Sequence, residues 1–488
     1  MSLHRVVLKT RRVPGLRAVY RGIYYVAAAA CARSLAALPG VSGVYLHRGM
    51  SRDGWEPGVS DVDLLIVLDD AQDDEVRALA KLAARSASLR RAFPMLGDVW
   101  IGTGDEARAY LRRGGLRAWE DFPDWRLLAG RPLAGGGCAE SAAKRRWLDP
   151  WSWLLVSHME LGRRVFGGSA ANEKDDADLR KMHADARRFS DFLLSERDAA
   201  PAPRSRVVVD PATPPLELWL DSSERFARAS RRVLEKVAGP ERLVVGIPPA
   251  APGELDGLLA GPARAVVADP PYHDYLLMEE GSSRADYEAV AALASRRLSP
   301  RVLLALEPSA WALALQSSYL GAPLGWAGSE GGAAVEDGPL FPRWGARAAG
   351  RALARVPALD AGLRRETAAE AASWMLLWWR AMWIGADWSN RFVLHHLCSR
   401  AMGLRAILEG EAGAPFCDWE LQLARLSARH EDERPAFSRL RERLRREPAP
   451  RLDSSDRGEL DAGHLPAVAR LMGDLRRALL ASEAGAAF

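Results

Sequence analysis

The sequence predicts an α+β protein that mixes strands with helices at its N-terminus and is largely helical beyond. Three observations predict this. Between residues 15 and 101, apolar residues recur at helical spacing and then in short strand-like runs, and the alternation repeats. Between residues 241 and 310, short apolar runs alternate with Pro/Gly clusters, which predicts a small α/β or irregular subdomain. Elsewhere helical spacing dominates, broken at Gly410–Pro415 and Glu447–Asp461. A chain of 488 residues is too long for one core, and these patterns divide it into segments 1–140, 146–240, 241–320 and 345–488.

Each N-terminal element has a local cause. Leu16, Val19, Tyr20, Ile23, Ala27, Ala30 and Cys31 recur at helical spacing, so 15–38 is expected as a helix stopped by Pro39-Gly40. Basic residues before Ile23 give this stretch some likeness to a signal peptide, but the periodicity and the interruption at Arg33 favour a packed helix. Strands are expected at 43–48, 61–68 and 95–101, with a helix at 73–91 that opens on Asp73-Asp74-Glu75. Residues 146–198 read as helical, with Asp149-Pro150 opening one helix and Asn172 capping another. The proline-rich Ala199–Pro215 reads as a linker, and Leu216–Val237 is helical again. Strands are expected at Leu243–Ile247, Ala265–Ala268, Tyr275–Met278 and Val302–Leu306, with a helix at Ala285–Arg297.

Composition narrows the function classes. Hydrophobic residues make up 48% and charged residues 27%, which excludes a mainly disordered or collagenous chain. The formal net charge is only +4, so nucleic acid is not an expected partner. Only six of the basic residues are Lys, an Arg- and Ala-rich usage typical of a GC-rich bacterial genome. The four cysteines, at 31, 138, 398 and 417, form no Cys-x-x-Cys pair, which argues against a disulfide framework or zinc ribbon and for a cytoplasmic protein. The longest apolar run, Ala371–Ile384, is interrupted by Arg380, so no membrane span is expected.

The segment that carries chemistry runs from Val44 to Leu68. Asp61 and Asp63 lie two apart at the start of a strand, so both side chains project to one face. The apolar run behind them suits a buried strand, where two same-side carboxylates are costly without a cation. Magnesium takes oxygen ligands and shares them with phosphates, so it is the expected ion. Asp98, set among the apolar residues of the next strand, is the expected third ligand. Gly49 lets a backbone approach a phosphate, Arg48 or Arg52 supplies charge, and Pro57-Gly58 turns the chain back to deliver Ser60 and Asp61.

Arg48-Gly49, a loop, and Pro57-Gly58-x-Ser60-Asp61-x-Asp63-Leu64 together resemble the DNA polymerase beta-like nucleotidyltransferase superfamily, most closely its bacterial antibiotic nucleotidyltransferases. The resemblance covers residues 40–105 and extends weakly to 127–133 and 179–183, which look like later helical parts of such proteins. One departure is Met50, where the family has a small hydroxyl residue, with Ser51 next in line for that role. The resemblance implies a nucleotidyltransferase fold, a mixed sheet with flanking helices. It implies magnesium-dependent transfer of a nucleoside monophosphate from a nucleoside triphosphate, ATP foremost, to a small-molecule or protein hydroxyl, with release of pyrophosphate. Asp61, Asp63 and Asp98 would ligate two metal ions, and Arg48, Gly49, Ser51, Ser60 and Lys181 would contact the nucleotide. The alternative is a catalytically inactive nucleotide-binding or scaffold protein that kept the fold.

Other clusters carry blander readings. Trp374, Trp378, Trp379, Trp383 and Trp388 read as core at helical spacing. His395, His396, Cys398 and Cys417 match no zinc template, and Arg439–Arg446 reads as a solvated helix face.

Overall fold

The structure is a computed structural model. It describes residues 3–10, 13–47, 50, 55, 57–58, 61–70, 75–135, 145–166, 173–195, 209–210, 212–247, 263–269, 273–295, 302–316, 352–384, 390–410, 419–445 and 465–484. Helices α1 (Leu3–Thr10) and α2 (Pro14–Ala36) come first. Pro14 suits the first helical position, because its missing N–H has no partner there anyway. Gly40, with φ 81°, turns the chain into β1 (Val41–Leu46). Then follow β2 (Val62–Leu68), α3 (Glu75–Ala92) and β3 (Leu96–Thr103), as the sequence predicts to within a few residues. Thr103 caps α4 (Gly104–Arg113) in a capping box with Glu106, and α5 (Gly115–Asp121) follows directly.

β4 (Arg126–Gly130) returns beside β1, giving a mixed sheet in the order β3-β2-β1-β4. β1 runs antiparallel to both β2 and β4, and β2 runs parallel to β3. β4 corrects the reading of 127–133 as one of the later helical parts. It is a short edge strand with one exposed leucine, Leu127, too brief to show a period of its own.

α6 (Arg145–Phe166), α7 (Glu173–Leu194) and α8 (Pro215–Val237) pack against one another. α6 begins at Arg145 and carries Pro150 inside it, so Asp149-Pro150 does not open the helix. Asp149 instead is buried and accepts the Leu116 main-chain N–H at 3.0 Å. Asn172 and most of the proline-rich stretch lie outside the described residues. Next come β5 (Ala238–Ile247), β6 (Ala263–Asp269), β7 (His273–Met278), α9 (Arg284–Ala294), β8 (Val302–Leu306) and α10 (Pro308–Gln316). β6, β7 and β8 form a small mixed sheet, with β6 and β7 antiparallel and β7 and β8 parallel.

The last part is helical except at its start. β9 (Ala352–Leu359) pairs antiparallel with β5, which corrects the expectation of helix from residue 346 onward. Its partner lies more than a hundred residues upstream, so no local pattern announces it. Then come α11 (Ala361–Ile384), α12 (Asn390–Leu408), α13 (Trp419–Arg429), α14 (Arg434–Arg445) and α15 (Leu465–Ala484). Residues of β2 and β3 share one buried cluster with residues of α11, α12 and α15, so segments 1–140 and 345–488 contribute to a common core. Trp379 is fully buried in it, and Trp374 stacks on Trp378 at 4.7 Å, as expected of core aromatics, while Trp388 and Cys417 lie outside the described residues. Among the described residues no helix is long and apolar enough to cross a membrane.

Candidate functional site

β1 and β2 place two chain segments at one sheet edge. The ladder extends past Leu46, where the His47 N–H donates to the Asp63 carbonyl at 2.9 Å. The loop between the strands leaves and returns at this edge. Arg48, Gly49, Ser51, Arg52 and Ser60 lie outside the described residues. Four loop residues are described, and three contact α2 or the core. Met50 is fully buried in the hydrophobic core, and Trp55 is buried beside it with its ring edge-on to Tyr24 at 5.0 Å. Arg17 donates to the Trp55 carbonyl at 3.0 Å. Gly58 sits at φ 77°, a conformation that favours glycine, and its N–H donates to the Tyr24 hydroxyl at 3.2 Å. α2 therefore holds the loop that delivers Asp61.

Asp61 and Asp63 are half-buried on the side of β2 that meets β3. A Cβ added at Gly97 would lie 2.5 Å from Asp63 Oδ1 and 2.6 Å from the Asp61 Cβ. Only glycine fits at that point without displacing the acidic pair. The β2–β3 register shifts here: Val62 faces Leu96 and Leu64 faces Val99, so Gly97 and Asp98 together oppose Asp63. This bulge points the Asp98 N–H at Asp63 Oδ1, 3.0 Å away. Arg90 donates to the Gly97 carbonyl at 3.3 Å, bringing a cation to the same edge.

The structure thus brings Asp61, Asp63 and Asp98 to one rim. Asp98 is exposed, and its main-chain amide donates to the Asp63 carboxylate. Among the described residues, no group of three His, Cys, Asp or Glu side chains is placed to hold a metal ion. Lys181 is exposed on α7, a helix packed on α6 and α8. One half-turn on, His183 is buried and bonds Asp221 at 2.9 Å. Burial would raise the Asp221 carboxyl, but His183 and Arg225 outweigh it and hold the group down to about 2.

Two features of the rim carried no sequence signal strong enough to single them out. Tyr24 reads in the sequence as one more apolar helix residue. Its hydroxyl is raised by burial, opposed by the Gly58 amide and reinforced by the charge of Asp61. His47 lies directly before Arg48 and is buried against Trp100 at 4.4 Å, with Asp121 3.6 Å from its Nε2. Asp121 also accepts from the Tyr110 hydroxyl at 3.0 Å, and Arg117 lies over the Trp100 ring at 4.8 Å. These groups brace the end of β1 from below.

In comparisons with known proteins, the chain matches no family model, no curated protein and no solved structure.

Proposed function

We propose that this rim is the active site of a magnesium-dependent nucleotidyltransferase. It would transfer a nucleoside monophosphate from a nucleoside triphosphate, ATP foremost, to a hydroxyl of a small molecule or protein. The observation that carries the reading is the placement of Asp61 and Asp63 against the bare main chain at Gly97, beside the loop that leaves β1. Their carboxylates are hard oxygen donors, half open to solvent and facing the same way, so the donor set fits magnesium. When bound, magnesium supplies neutralisation of the triphosphate and stabilises charge building on the transferring phosphoryl group.

The chain's own residues divide the remaining work. The Asp98 amide orients the Asp63 carboxylate, so that little reorganisation is needed as a ligand enters. Asp98 is assigned the proton of the acceptor hydroxyl, whose oxygen forms the new bond to the α-phosphorus as the bond to pyrophosphate breaks. Gly49, Ser51 and Arg48 are assigned to the phosphates, Ser60 to the rim, and Lys181 to the nucleotide. Met50 supports retained activity, because its side chain lies in the core. A side chain held there leaves the phosphate path to the residues around it.

Thermal denaturation with magnesium and ATP tests the binding half of the reading. The wild type should gain several degrees, and Asp61→Asn and Asp63→Asn should lose most of that gain while folding normally. No gain in the wild type would end the reading. Incubation with α-labelled ATP and cell extract tests the chemistry. Binding without any labelled acceptor or pyrophosphate would instead identify a catalytically inactive nucleotide-binding protein.

A further inference from the structure

We propose that the layer formed by α2 and α3 docks on an anionic lipid surface. The first observation is an exposed apolar row. Val13, Leu16, Val19, Ile23 and Val26 are exposed by 39 to 70%, and they are five of the eight large exposed hydrophobics among the described residues. Leu16, Val19, Ile23 and Val26 follow at intervals of three and four, which places them on one stripe of α2. Toward its C-terminal half the same helix buries a different stripe, Tyr24, Ala27, Ala28 and Cys31, against the core. Its apolar character is therefore divided between the fold and the solvent side.

The second observation is charge. Nine Lys and Arg precede Asp53 and no Asp or Glu does, whereas after residue 52 acids outnumber bases by 63 to 58. The basic surplus of the whole chain is thus concentrated at its N-terminus. α3 continues it, for residues 76–97 contain five Lys and Arg and no acid. Glu75, at the start of α3, is engaged by Arg380 at 2.6 Å. Arg85 donates to Ser34 at 3.2 Å, which sets the exposed cations of α3 beside the C-terminal half of α2. Arg33, also exposed, ends the apolar row two turns beyond Val26. Arg17 and Arg21 lie across the helix from the row and do not belong to this surface.

The combination selects the occupant. A nucleic acid matches the cations but offers nothing to the row of aliphatic side chains. A second copy of the chain would meet the row but would set the exposed cations of α3 against their own kind. An anionic bilayer surface takes both, because aliphatic side chains enter the headgroup boundary while Lys and Arg sit among lipid phosphates. Because the other stripe of α2 is buried in the core, the contact lies along the length of the helix.

Co-sedimentation of the full chain with vesicles decides this. One set is phosphatidylcholine alone, and the other is equal parts phosphatidylcholine and phosphatidylglycerol. The wild type should pellet with the anionic vesicles and not with the neutral ones, and less so as salt rises. Ile23→Glu with Val26→Glu should weaken partitioning at least about ten-fold with an unchanged melting temperature, since both side chains are exposed. Lys81→Glu with Arg85→Glu should weaken it comparably with the row intact. Asp61→Asn should pellet like wild type, because Asp61 belongs neither to the exposed apolar row nor to the cations of α3. Equal binding to both vesicles, no binding to either, or glutamate variants that pellet like wild type would overturn the proposal. So would a wild-type dimer that Ile23→Glu dissociates, which would assign the row to a second copy.

Discussion

Glu106 and Asp63 belong to the same N-terminal layer, yet their charges are handled in opposite ways. Glu106 is buried and meets Arg380 of α11 through two contacts, at 2.6 and 3.1 Å. Arg380 also donates to Glu75 at 2.6 Å and to the Leu376 carbonyl at 3.0 Å. Burial works against the guanidinium charge, but the two carboxylates outweigh it and raise its pKa. Asp63, by contrast, is half-buried at the rim and takes a main-chain amide from the β3 bulge. In the first region the counter-charge is a side chain of the fold, enclosed with its partners. In the second, the carboxylates are only half-buried, at the rim where we propose that a ligand enters. An enclosed ion cluster is a lock between distant segments, whereas an open one is a place for exchange.

Breaking the lock should have the largest effect. Arg380→Met leaves Glu106 buried without its cation, and the expected loss is about 3–5 kcal/mol of unfolding free energy. Adding Glu106→Gln should restore part of it, and urea denaturation of the single and double variants measures the coupling. If Arg380→Met unfolds like wild type, the enclosed cluster contributes nothing, and the contrast with the rim disappears.

The helical unit offers a second enclosed titratable group. His158 of α6 is fully buried, stacked 5.0 Å from Phe226, with its Nδ1 3.0 Å from the Ser222 hydroxyl. Burial pushes its imidazole down to about 3. The unfolded ring titrates near its ordinary value, so as pH falls below about 6.5 the unfolded state binds a proton that the folded state refuses. Stability should therefore fall with pH through the window from about 6.5 down to 3, by about 3 kcal/mol on reaching pH 4. His158→Gln should flatten that slope, and denaturant midpoints across the window would reveal it. An unchanged slope would show that this ring does not govern the acid response.

The smallest effect sharpens the rim itself. Gly97→Ala places a methyl group against Asp61 and Asp63, and the strand or the carboxylates must move. We expect a loss of about 1–3 kcal/mol in stability. The magnesium–ATP stabilisation should fall more steeply than this modest cost suggests, because the acidic pair is displaced. Retention of the full ligand-induced shift would mean that the pair need not lie against β3.

The rim and the lock also differ in how legible they were. Asp61 and Asp63 follow from a two-residue spacing ahead of an apolar run, and Pro57-Gly58 from turn chemistry, so local pattern was enough. Met50 stood out as a departure, but only packing shows its side chain in the core. The Asp98 amide could not be foreseen, since it depends on a register shift between two strands. β4 escaped because an edge strand of five residues shows too little pattern.

The order strand, loop, strand, helix, strand was written into the chain by itself, because hydrophobic period and turn residues act over a few positions. So was the placement of two carboxylates on one face, which the pleat of a strand enforces. The tertiary structure alone decided that Glu106 would find Arg380, 274 residues away, and that β5 would pair with β9. It also decided that Tyr24 of α2 would hold the turn at Gly58. Contacts between such distant residues depend on how whole elements pack, and no local period encodes which element a buried charge or a strand edge will meet.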